Sequence, residues 1–130
     1  MKVNFPYGKE ILPLDIPEER LQGVLVSSLH HYAPKAAPMD LVEEALLHPI
    51  GSKPLCELAR GKQKVVLIAS DHTRPVPSKV IVPPMLREIR RGNPDADITI
   101  LIATGCHRET TREELVGKFG EEIVNREKIV

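Results

Sequence analysis

The sequence carries no net charge, no paired cysteines, no long apolar run and no nucleotide-binding loop motif. Each absence removes a class of function. Lys plus Arg number 18 and Asp plus Glu number 18, so there is no broad basic field for nucleic acid and no polybasic signal for an anionic membrane. Cys56 and Cys106 lie far apart, belong to no CxxC pair and make no disulfide framework, which points to a cytoplasmic setting. No apolar run approaches the roughly 20 residues of a membrane span. The opening MKVNFPYGKE lacks the apolar stretch of a signal peptide. GxGxxG, P-loop and GxSxG motifs are missing, as are internal repeats and low-complexity segments.

What is present suits one α/β domain. The 130 residues are 42% hydrophobic and 28% charged, enough for one core and a solvated surface. Val3, Phe5 and Tyr7 alternate with other residues, as do Leu12, Leu14 and Ile16, and Gly8-Lys9 can turn between them. This predicts a β-hairpin with one buried face. Helical spacing of Val42, Ala45 and Leu46 predicts a helix over Met39 to Leu47, ended by His48-Pro49. A second helix is expected with Ser52 as N-cap, Pro54 in its first turn, Leu55, Leu58 and Ala59 toward the core, and Gly61 at its end.

Two continuous apolar runs, Val65-Val66-Leu67-Ile68-Ala69 and Ile98-Thr99-Ile100-Leu101-Ile102-Ala103, read as parallel strands buried on both faces. Val82, Met85, Leu86 and Ile89 between them follow helical spacing, with Pro83-Pro84 expected to break or kink the helix start. Strand, helix and strand make a βαβ unit with a right-handed crossover. Thr110 or Thr111 can cap a further helix, with Glu113 or Glu114 closing a capping box. The final Asn125-Arg126-Glu127-Lys128-Ile129-Val130 reads as the lead-in to another strand, so a longer protein is expected. The fold class is therefore α/β: an N-terminal hairpin, then a βαβ-containing, largely parallel sheet flanked by helices.

The chemistry-bearing residues cluster after those two strands. Ser70-Asp71-His72-Thr73-Arg74-Pro75-Val76-Pro77-Ser78 follows the first, and Thr104-Gly105-Cys106-His107-Arg108 follows the second. Both leave the C-terminal ends of parallel strands, the edge where open α/β sheets bind ligands. Arg74 offers a planar fork for a carboxylate. His107 carries an imidazole, the side-chain type suited to moving protons near neutral pH. Asp71 can orient Arg74 or a nearby imidazole, and Gly105 admits a close backbone approach. Plainer roles compete: Asp71 as a cap, Arg74 in a structural ion pair, His107 as a surface histidine. His72 reads as structural and Cys106 as a small packing residue. His30-His31 and His48 show no metal-site spacing, and Arg87, Arg90 and Arg91 suit a helix C-terminus.

The SDHTRPVPS run, strengthened by Ala103-Thr104-Gly105-Cys106-His107-Arg108, resembles the nickel-pincer lactate racemase family. Pro49-Ile50-Gly51-Ser52, Leu58-Ala59-Arg60-Gly61-Lys62, Glu113-Glu114-Leu115-Val116 and Gly120-Glu121-Glu122-Ile123-Val124 also fit it. The resemblance implies that residues 1–130 are the N-terminal, catalytic-loop domain of a two-domain racemase or epimerase of small 2-hydroxy acids. It implies hydride transfer at C2, a transient 2-oxo acid, and a pyridinium-derived nickel-pincer nucleotide attached through a C-terminal domain that this chain lacks. His107 matches one of two acid/base histidines. Arg74 matches a carboxylate-binding or orienting arginine, and Asp71 a supporting acid. Thr73, Thr104 and Gly105 would shape the pocket. The second histidine, the cofactor-bearing lysine and the nickel-ligating histidine belong to later segments, so no metal ligand is assigned within this chain. Cys106 stands where an aromatic residue is expected, a change that bears on substrate choice. Two rival readings are a non-catalytic anion- or nucleotide-binding module and a docking domain with an exposed apolar patch.

Overall fold

A computed structural model describes residues 1–130. Its contacts divide into two compact units, Met1–Pro34 and Lys35–Val130.

The first unit is the expected hairpin. Strand β1 (Lys2–Tyr7) pairs antiparallel with β2 (Glu10–Asp15), from Lys2 opposite Asp15 to Tyr7 opposite Glu10. Two short 3-10 turns follow, Glu18–Arg20 and Ser28–His31. The expected buried face is not found: only Val3 is half-buried, and every other strand residue is exposed. Alternation in sequence marks which side chains share a face, whereas burial needs a second layer, which a two-stranded ribbon does not provide for itself.

The second unit holds the sheet. Helix α1 (Pro38–Leu47) begins with proline at its first position and ends at His48. Helix α2 (Leu55–Ala59) is capped at Pro54, not Ser52, whose hydroxyl instead donates to the Lys53 carbonyl. Ala59 is buried as expected, but Leu58 is exposed. Strand β3 (Lys64–Ser70) leads into helix α3 (Ser78–Gly92) and strand β4 (Asp97–Ala103). Helix α4 (Arg112–Phe119), helix α5 (Glu121–Arg126) and the short strand β5 (Lys128–Ile129) complete the unit. The parallel sheet has the order β3-β4-β5, so the terminal run does form a strand.

Pro83-Pro84 do not break α3, which starts five residues before Pro83 and runs through both. Each ring removes one helix hydrogen bond. Packing offsets that loss, because Pro84, Val82, Leu86 and Ile89 are all buried. They meet Ile98 and Ile100 of β4, with Phe119 and Ile123 closing the core. Fully burying one such aliphatic side chain contributes about 1.5–3 kcal/mol. The three arginines of α3 each bind a carboxylate: Arg87 with Glu43, Arg90 with Glu127, and Arg91 with Glu88.

The expectation that β3 is buried on both faces is corrected. Val66 and Ile68 are 56% and 73% exposed, while Val65 and Leu67 between them pack on the core. Both crossovers advance the same way along the sheet, from β3 to β4 to β5. Right-handed connections then put their helices on one face. The other face leaves Val66, Ile68 and Leu101 exposed. No helix is long and apolar enough to cross a membrane.

Candidate functional site

The parallel register brings the two reactive loops together. Lys64 lies beside Asp97 and Ser70 beside Ala103, so β3 and β4 end level. Asp71 and Thr104 are the next residues, and both loops leave the same sheet edge.

Asp71 is the centre of the arrangement and is only 2% exposed. Its Oδ1 accepts from the Thr73 backbone N–H at 3.1 Å and from the Thr73 hydroxyl at 2.7 Å. Its Oδ2 lies 2.6 Å from His107 Nδ1. The bond from the Thr73 hydroxyl, followed by that from His107, lowers the Asp71 carboxyl from its ordinary 3.8 to about 2. A carboxylate ionised at neutral pH accepts hydrogen bonds and donates none. The proton in this contact therefore sits on His107 Nδ1. In the neutral ring the lone pair is left on Nε2. The His107 side chain is 43% exposed, and Asp71 is its one side-chain hydrogen-bond partner. Thr104 and Gly105 shape the backbone beneath it. The Thr104 carbonyl accepts from the His107 N–H at 3.0 Å, closing a turn that needs Gly105 at φ 59°, where a Cβ is disfavoured.

The alternatives left open for Asp71 are thereby decided. It pairs with the imidazole and not with Arg74, and it also makes the local turn through Thr73. Arg74 is exposed, and its guanidinium has no carboxylate within ion-pair distance. It lines an open pocket of about 360 Å³ with His72, Val76, Glu114, Gly117 and Lys118. Its backbone carbonyl accepts from Lys118 Nζ. Cys106 is exposed, which corrects its packing role: the turn holding His107 lifts it away from the core.

His72 is half-buried and lies 3.4 Å from the Thr110 hydroxyl and 3.6 Å from Glu114, so it is turned away from the Asp71–His107 pair. Sequence reasoning missed what surrounds it. Thr110 is buried beside His72, while Thr111 is the cap of α4 in a complete capping box with Glu114. Glu114 also binds Arg108 through both oxygens, at 2.7 and 2.9 Å. The capping-box spacing flagged Glu114, but only as a helix cap. A cavity of about 620 Å³ lined by α3, α4 and α5 includes none of Asp71, Arg74 or His107. The Asp71–His107 pair lies outside it.

The lowered Asp71 carboxyl has a consequence for stability. The unfolded chain takes up the proton near 3.8 and the folded one only near 2. The contribution of this carboxylate is thus full above 3.8 and gone once the pH has fallen through about 2. A carbon-detected titration of Asp71 should give a midpoint near 2. The fall in melting temperature across that acid window should be shallower in Asp71→Asn. A midpoint at 3.8 would mean the bonds from Thr73 and His107 are not made in solution.

Comparison with known proteins gives the family of the chain. A family model described as the lactate racemase N-terminal domain matches residues 7–130. The lactate racemase of Thermoanaerobacterium thermosaccharolyticum is 49% identical over 128 residues, covering 98% of this chain and 30% of that protein. The lactate racemase of Lactiplantibacillus plantarum is 52% identical over 128 residues, with the same two shares, 98% and 30%. The solved structure of the lactate racemase apoprotein from T. thermosaccharolyticum superposes with a TM-score of 0.84 at 48% identity, over 100% of this chain and 30% of that one. The chain thus spans 30% of the length of the curated relatives it matches. It belongs to the lactate racemase N-terminal domain family.

Proposed function

We propose that this chain supplies the proton-transfer and carboxylate-binding part of a 2-hydroxy-acid racemase, with lactate as the first candidate substrate. The observation that carries the reading is the 2.6 Å contact between buried Asp71 and half-exposed His107. It leaves an oriented imidazole with a free nitrogen at the sheet edge from which the loop of the unpaired Arg74 also leaves. Nε2 takes the proton of the substrate hydroxyl and returns it after the configuration at C2 has changed. Asp71 holds the ring in one tautomer and stabilises the imidazolium while it lasts. Arg74 binds the substrate carboxylate through its planar fork. Thr73 serves Asp71, and Thr104 with Gly105 sets the turn that presents His107.

The family resemblance brings a nickel-pincer nucleotide with it. No three His, Cys, Asp or Glu side chains of this chain converge in a way that could hold a metal ion, and Asp71 already occupies His107 Nδ1. This donor set does not fit a nickel site. In the proposed reading the nucleotide is attached through the C-terminal domain of the full-length protein, and the hydride chemistry at C2 belongs there.

The reading is tested with the full-length, cofactor-loaded protein. Single enantiomers of lactate and related 2-hydroxy acids are incubated and their chirality followed by chromatography. Loss of optical purity in one acid names the substrate. Arg74→Ala should raise KM for that acid by roughly 10- to 100-fold, the equivalent of one charge-assisted bidentate contact. Saturable binding of the acids without any racemisation would favour a binding module instead.

A further inference from the structure

Glu114, in the first turn of α4, touches three segments. Its Oε2 accepts from the Thr111 backbone N–H at 2.9 Å and from Arg108 Nη1 at 2.9 Å. Its Oε1 accepts from Arg108 Nη2 at 2.7 Å. His72 Nδ1 is 3.6 Å from Oε2 and also lies beside the hydroxyl of buried Thr110. Arg108 follows His107 directly, and His72 follows Asp71 directly. The neighbour of His107 is therefore bonded to this carboxylate, while the neighbour of Asp71 stands 3.6 Å from it, beyond hydrogen-bond distance, with Thr110 as its hydrogen-bond partner. Arg108 is fastened a second time, by Nη1 to the Glu109 carbonyl at 2.8 Å. The other charged groups facing this carboxylate's pocket are Arg74 and Lys118.

A helix cap alone does not call for this. The capping box uses the Thr111 hydroxyl and the Glu114 bond to the Thr111 N–H, whereas the contacts to Arg108 and His72 lie outside it and reach into both loops. Resting on the racemase reading above, we infer that Glu114 is a positioning residue that holds the Asp71 loop and the His107 loop in register. Its hydrogen bonds from Arg108, first, and from the Thr111 backbone keep the carboxyl near 2, so the tether is charged at neutral pH. The need for such a tether is geometric, since displacement of an acid/base group by about 1 Å can cost roughly 100-fold in rate.

The test compares two cuts at the same helix end in the full-length, cofactor-loaded enzyme. Glu114→Ala should lower kcat about tenfold or more while KM moves less than about threefold. Thr111→Ala removes the cap hydroxyl and keeps the tether, so it should lower the melting temperature yet leave kcat within about twofold. Glu114→Gln keeps an acceptor without the charge and should recover part of kcat. A second readout does not depend on turnover. In histidine-labelled enzyme, the His107 Nδ1 proton bonded to Asp71 should give a far-downfield signal that survives Thr111→Ala and broadens in Glu114→Ala. Equal kcat losses in the two variants, or a His107 signal unaffected by Glu114→Ala, would overturn the inference. If the wild-type enzyme racemises none of the acids, the racemase reading fails, and the proton signal alone decides whether Glu114 positions His107.

Discussion

Replacing His107 with alanine in the full-length enzyme should lower racemisation by roughly 100- to 10,000-fold, the range contributed by a positioned general acid or base. The loss should fall on kcat, with KM for the hydroxy acid little changed, because Arg74 and not His107 binds the carboxylate in the proposed arrangement. Stability should fall by about 1–3 kcal/mol, because Oδ2 of the buried Asp71 carboxylate loses its donor. The ring is 43% exposed and takes little part in the core. The variant leaves Asp71 buried with its bonds from Thr73 intact, so the carboxylate keeps two of its donors. Steady-state rates measured by chiral chromatography, beside a melting curve for each protein, separate the two effects. Unchanged turnover would remove His107 from the chemistry and with it the proposed function.

The second large effect is on folding. Gly92, the last residue of α3, lies against α2 so closely that a Cβ there would sit 1.9 Å from the Cys56 carbonyl oxygen and 2.9 Å from its Cα. Two opposed terms act on Gly92→Ala. Alanine gains about 1 kcal/mol of helix propensity over glycine in a helix interior, and less at its last residue. Against that, the clash is with backbone, so α2 must move away bodily. Overpacking of that kind costs about 1–3 kcal/mol and sometimes more. The clash wins, and a drop in melting temperature of several degrees is expected from chemical or thermal unfolding. Gly92→Val should be worse, whereas a neutral Gly92→Ala would mean that α2 packs less tightly on α3 than described. Activity per folded molecule should survive, since Gly92 is remote from the sheet edge that carries Asp71 and His107.

Much of the site was legible before any coordinates. Continuous β-branched runs marked β3 and β4, and apolar spacing marked α3 between them. A right-handed crossover then required both loops to leave one edge. That reasoning brought the loops of Asp71, Arg74 and His107 to one edge, although the pocket that Arg74 lines includes neither Asp71 nor His107. It left Asp71 between two partners, because pairing depends on side-chain direction over a few ångströms, which loop composition does not encode. The role of Glu114 was hidden for a related reason. Its capping-box spacing with Thr111 is local, while its contacts with Arg108 and His72 join residues brought together only by folding.

The misread elements share a cause as well. An apolar run says that a strand is hydrophobic and does not say how many of its faces are covered. Val66 and Ile68 were therefore placed in a core that the crossover helices leave open. Alternation in the hairpin and the proline pair of α3 misled in the same way. Burial of a face, or tolerance of a lost hydrogen bond, depends on what packs opposite.

The sequence by itself determined the class of fold, the order of its elements, the family and the residues able to do chemistry. Those follow from local periodicity, side-chain type and motif, all carried by neighbours along the chain. Only the tertiary structure decided that Asp71 holds His107, that Arg74 stays unpaired, that Glu114 bonds Arg108 and lies near His72, and that one sheet face is bare. Those are contacts across long stretches of sequence, set by register, by the hand of the crossovers and by packing against elements far away in the chain.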